Sequence, residues 1–115
     1  MQPKKLCDEI CKILSSKKAK DILRINVAKK TTLADYFVVA GGNSATHVTS
    51  LCDYLEDTLE KQDIKVLRKE GVKEGRWGVL DYGDVIVHVF NDETRLFFQL
   101  EQVWEGKGNV SKFED

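Results

Sequence analysis

The 115-residue sequence lacks several features that would settle its class at once. It has no run of 18 apolar residues, so it offers no transmembrane helix. Nothing in it reads as a signal or transit peptide. Its three cysteines, Cys7, Cys11 and Cys52, are odd in number and follow no framework spacing. That excludes a disulfide scaffold and points to free thiols in a reducing cytosol, although a processed organellar protein would look similar. The formal net charge of −1 lacks the basic excess of a dedicated nucleic-acid-binding domain. There are no internal repeats and no linker-like stretch.

What remains is the composition of an ordinary folded domain, 42% apolar and 32% charged. One domain is expected over residues 1–105, with residues 106–115, which carry no periodicity, as a mobile tail. A chain of this length can bury about two-thirds of the surface it exposes when unfolded, so it needs no covalent staples. The charges are segregated along it. Residues 1–30 hold nine Lys or Arg and three acids, whereas residues 81–105 hold six acids and Arg95 as the sole base. The acidic part suits a basic protein partner, and the basic third is where an RNA contact would fall.

Periodicity gives the elements. Leu6, Ile10, Ile13 and Leu14 recur at helical spacing over residues 3–17, with Pro3 in the first turn, where its missing N–H costs nothing. Residues 21–27 read as a strand with Leu23, Ile25 and Val27 on one face. Residues 35–40 are apolar enough for the centre of a sheet. Gly41-Gly42-Asn43-Ser44 ends that strand and starts a helix to about residue 62, capped by Asn43 or Ser44. Its apolar stripe is Val48, Leu51, Cys52, Leu55 and Leu59. Residues 64–68 read as a short strand, and residues 77–80 and 85–90 as a hairpin turned at Gly83. Asn91 caps a last helix to about residue 105. The order α-β-β-α-β-β-β-α implies an α/β fold: one mixed sheet of about five strands flanked by helices.

Three clusters could carry chemistry. Gly41-Gly42-Asn43-Ser44 before a helix could hold a phosphate, but neither G-x-G-x-x-G nor G-K-[ST] is present, and glycines also serve simply to turn a chain. Asp81, Asp84 and His88 superficially resemble a nucleotidyltransferase site. That chemistry needs two alternating carboxylates, and Asp84 is followed two residues on by Ile86. The glycines also lie about forty residues upstream, where that motif has them at roughly ten. Asp residues flanking a hairpin turn commonly bond backbone N–H groups, and a strand histidine is commonly a packing residue. Cys7 and Cys11, at i and i+4, read as small apolar core residues, because a zinc site needs at least three converging groups and the C-x-x-C spacing is absent. No catalytic set emerges, and neither metal nor cofactor is expected. Trp77, beside Arg76, is either core or, if exposed, an interface anchor with a charged rim.

Three blocks then carry a resemblance: A-D-Y-F-V-V-A-G-G-N-S-A-T-H-V, E-G-V-K-E-G-R-W-G-V-L-D-Y-G-D-V-I-V-H-V-F and T-R-L-F-F-Q-L-E-Q-V-W. In this order and spacing, over about residues 6–104, the chain resembles the ribosomal silencing factor, or Iojap, family. The resemblance implies a nucleotidyltransferase-like fold without its catalytic carboxylates, hence no enzyme and no cofactor. It implies a cytoplasmic translation repressor that binds large-ribosomal-subunit protein fourteen and sterically blocks joining of the small subunit when nutrients are scarce. Organellar relatives act in large-subunit assembly, and relatives often pair in solution. Neither a membrane nor DNA is an implied partner. The family places the partner-facing surface at Trp77, Leu80, Asp81, Tyr82, Asp84 and His88. Gly78 departs from the family pattern, which more often has a larger residue, and it is expected to soften its strand.

Overall fold

The computed structural model describes residues 2–92 and 109–113. Helix α1 (Pro3–Ser16) buries Leu6, Cys7, Ile10, Cys11, Ile13 and Leu14, the stripe its spacing predicts. Strand β1 (Lys20–Asn26) follows, then β2 (Tyr36–Gly42). Ser44 caps helix α2 (Ala45–Glu60), its hydroxyl accepting the His47 N–H at 3.1 Å. The α2 stripe of Val48, Leu51, Cys52, Leu55 and Leu59 is buried as expected. Strands β3 (Arg68–Glu70), β4 (Trp77–Asp81), β5 (Val85–Asn91) and β6 (Val110–Lys112) complete the described elements. The helix expected over residues 91–105 lies largely outside the described residues.

All six strands form one mixed sheet in the order β3-β4-β5-β2-β1-β6. The β2–β5 pair is parallel and the other pairs are antiparallel. The apolar β2 is thus interior, as its composition demands. Two expectations need correction. The strand expected at residues 64–68 forms at Arg68–Glu70, because Ile64 and Val66 pack beside the helix-side core instead of entering the ladder. A three-residue exposed edge strand needs no apolar pattern, and charges on it discourage further pairing. Residues 110–112, within the segment expected as a mobile tail, form β6, which pairs Val110 with Ile25 and Lys112 with Leu23. Three residues are too few for periodicity to register, and only the partner strand makes them a strand.

The sheet has two dissimilar faces. Both described helices pack on one, where Val38, Ala40, Leu80, Tyr82, Val85, Val87 and Val89 meet the α1 and α2 stripes. Gly78 belongs to this face. A Cβ there would come within 2.7 Å of Cys52 Sγ, so its missing side chain lets α2 lie close to β4. The expectation that Gly78 softens the strand gives way to a packing role. The opposite face carries Ile25, Val27, Ala34, Phe37, Val39 and Phe90, all buried, with Leu23, Trp77, Ile86 and Val110 partly covered.

Candidate docking face around Trp77

The hairpin turn sets the register of everything near Trp77. Gly83 has φ +87°, and its N–H donates to Asp81 Oδ1 at 2.8 Å, while the Tyr82 N–H donates to the Val85 carbonyl at 2.9 Å. This turn pairs Asp81 with Ile86, Val79 with His88 and Trp77 with Phe90. Side chains alternate along each strand, so those six share the face away from the helices. Ladder pairing extends the face sideways. One row runs Arg68, Asp81, Ile86, Phe37, Ile25, Val110, and the next runs Glu70, Val79, His88, Val39, Leu23, Lys112.

Within it, Trp77 is pre-oriented from two sides. Its ring stacks on Phe90 at 4.9 Å between centroids, and its Nε1–H donates to His88 Nδ1 at 3.1 Å. His88 is 8% exposed, with Phe37 edge-on at 5.1 Å. Accepting at Nδ1 puts the neutral ring's proton on Nε2, which is buried and has no acceptor among the described residues. Burial lowers the His88 pKa from 6.5 to about 4, so the ring is neutral near pH 7. Trp77, Val79, Asp81 and Ile86 are half-buried, and Arg68 and Glu70 are exposed on the edge strand. The arrangement is a held aromatic beside aliphatic side chains, with charges at the rim.

The six residues expected to face a partner therefore divide. Trp77, Asp81 and His88 share the face away from α1 and α2, but His88 is buried beneath Trp77 and positions it. Leu80 is fully buried and Tyr82 is 8% exposed, both in the helix-side core. Alternation forces this, since each stands next to a residue of the face away from α1 and α2. Neither side chain lies on the face that carries Trp77. Desolvation raises the Tyr82 pKa, and its buried hydroxyl has no partner among the described residues. Asp84 is exposed at the turn, and its carbonyl accepts the Asp35 and Tyr36 N–H groups, fastening β2 to the hairpin. Ile86 and Phe90, which alternation in the sequence already puts on the His88 side of the strand, join the face together with Val79 and Arg68, which the sequence did not single out. The signal for them was the hairpin register, which fixes cross-strand pairs once the turn geometry is known.

The alternative sites can be placed as well. The Asn43 N–H that could meet a phosphate donates to His47 Nδ1 at 2.9 Å, and His47 Nε2 is 3.0 Å from the Lys17 carbonyl. His47 thus links the Asn43 N–H to the residue that ends α1. Asp84 and Ile86 stand two apart on the hairpin, so no carboxylate pair forms there. Among the described residues, no three His, Cys, Asp or Glu side chains are grouped to hold a metal. Cys7, Cys11 and Cys52 are free and buried, and burial pushes the Cys52 thiol up to about 12. The Cys11 thiol is pushed upward by its hydrogen bond to Cys7 and by burial. Asp92, one of the acids expected to attract a partner, is bound to Lys20 at 2.9 Å. No helix among the described residues is long and apolar enough to cross a membrane.

Among the described residues, the protein is a small α/β domain whose mixed sheet carries α1 and α2 on one face and the held Trp77 ring on the other. The family described as ribosomal silencing factor during starvation matches residues 1–115, and the chain belongs to it. The chain is 38% identical over 88 residues to the ribosomal silencing factor RsfS of Bacillus subtilis, covering 76% of this chain and 75% of that protein. It is 34% identical over 91 residues to the protein of the same name from Halalkalibacterium halodurans, covering 79% and 78%. A crystal structure of a Chromobacterium violaceum protein superposes with a TM-score of 0.89 at 28% identity, covering 100% of this chain and 95% of that one.

Proposed function

We propose that this chain represses translation by docking on the large ribosomal subunit, through its protein fourteen, and excluding the small subunit by bulk. The observation that carries this reading is Trp77, which is stacked on Phe90, hydrogen-bonded to His88 and left half-exposed on a face with a charged rim. An indole held in one orientation before binding loses little freedom on binding, which is how a small face acquires affinity. Asp81 and Asp84 would steer a basic ribosomal protein toward it, acting mainly on the association rate. No catalytic step is needed. Leu80, Tyr82 and His88 enter as the support that keeps the face in shape.

The test is to add the protein to purified large and small subunits and to follow their joining by gradient sedimentation. The expected result is co-sedimentation with the large subunit and fewer joined ribosomes, with Trp77→Ala folded but impaired in both. Unchanged joining without co-sedimentation would refute the proposal.

A further inference from the structure

Lys4 and Lys5 occupy the first turn of α1, the positive end of the helix dipole, where acids and not bases stabilise. That turn contains no acid, and Gln2, at the N-cap, makes no side-chain capping bond. Two cations are thus set against a positive helix end, at a cost to the helix. Local choices that oppose the fold are expected where something outside it is recognised.

A groove runs beside this turn in two adjoining hollows of about 470 and about 330 Å³. Both are lined by Lys4, Asn26 and Tyr36. Arg24 and Ser111 add to the first, and the second continues to Ala28, after which Lys29 and Lys30 follow in the chain. Arg24 gives Nη1 to Asp8, and among the described residues its buried Nε–H has no acceptor. The side chain lines the groove, with its guanidinium over the Phe113 ring at 5.7 Å. Asn26 Oδ1 accepts the Ala28 N–H, which leaves its amide NH₂ as a donor. The acids of the lining are Asp8, engaged by Arg24, and Asp35 at the far hollow.

We propose that this groove binds the phosphate backbone of an RNA strand, with Lys4 and Arg24 each meeting a phosphate and Asn26 donating between them. The groove is open, and Lys5 and Lys29 adjoin its lining residues Lys4 and Ala28 in the chain. That suits a polymer of phosphates better than a single nucleotide. The near-zero net charge of the whole chain does not oppose this, because binding answers to the local field. The inference concerns a face other than that of Trp77 and stands independently of the docking reading.

The test uses the full chain and a fluorescein-labelled single-stranded 12-mer RNA, with anisotropy read across salt concentrations. Affinity should fall as salt rises, and Lys4→Glu/Lys5→Glu should weaken binding by roughly tenfold. It should also flatten the log–log salt slope by about 0.7, the share of the one phosphate contact assigned to Lys4. The same substitutions place acids at the positive helix end, so the melting temperature should hold or rise. A fold defect is thereby separated from a lost contact. Lys61→Glu/Lys73→Glu, with the same charge change elsewhere, should leave binding nearly unchanged. Absence of RNA binding at low salt, or equal losses in both double variants, would overturn the proposal. So would ATP binding as tightly as the 12-mer, which would mark a nucleotide pocket.

Discussion

Acidification should weaken this fold through His88, and the effect can be isolated. In the folded chain the ring stays neutral down to about pH 4, whereas an unfolded histidine takes a proton near 6.5. Burial depresses the folded pKa, so the unfolded state binds more protons throughout that window. Stability is therefore fully present above about pH 6.5 and lost as the pH falls toward 4. The slope from this one group approaches about 1.4 kcal/mol per pH unit, and the whole window is worth roughly 3 kcal/mol. Protonation would also put a hydrogen on Nδ1, where the Trp77 N–H now donates. His88→Asn removes the titration while keeping an acceptor near the Nδ1 position. Urea unfolding of both proteins from pH 7.5 to 4.5 gives the contrast, with carboxylates and His47 common to the two. The substituted protein should start less stable and lose stability more slowly, and the two curves should converge on the acid side. Parallel curves, or a His88 ring that titrates near 6.5 in folded-state NMR, would refute the reasoning.

Trp77→Phe keeps a ring on Phe90 but leaves His88 Nδ1 without its donor, so unfolding free energy should drop by about 1–2 kcal/mol. Trp77→Ala should cost about 2 kcal/mol, below the 3–5 of a fully buried aromatic, leaving enough fold for the subunit-joining assay. Leu80→Ala, by contrast, should cost about 2–5 kcal/mol, and any binding it loses should track the fraction unfolded in denaturant titrations. Gly78→Ala should destabilise by about 1–3 kcal/mol through its clash with Cys52, and Cys52→Ala in the same chain should recover part of that, a double-mutant coupling read from melting curves. The three thiols should resist a thiol reagent in the folded protein and all react once it is denatured.

Much of the scaffold was legible because its physics is local. The α1 and α2 stripes, the interior β2, the hairpin at Gly83 and the shared face of Ile86, His88 and Phe90 follow from spacing and turn chemistry within a few residues. The missing second carboxylate after Asp84 could also be read directly, as could the family blocks. Tertiary structure alone decided three other matters. Strand β6 exists only because β1 offers it a ladder, and β3 sits past the apolar residues that seemed to define it, since those pack under the edge. The motif residues Trp77 to His88 divide between two faces, because neighbours on a strand point opposite ways. Which face the helices cover is set by contacts far apart in sequence. And Trp77, which by type alone could be core or anchor, lies between the two. Its ring rests on Phe90 and its N–H is fixed by a histidine eleven residues away, a pairing that only the cross-strand register brings about.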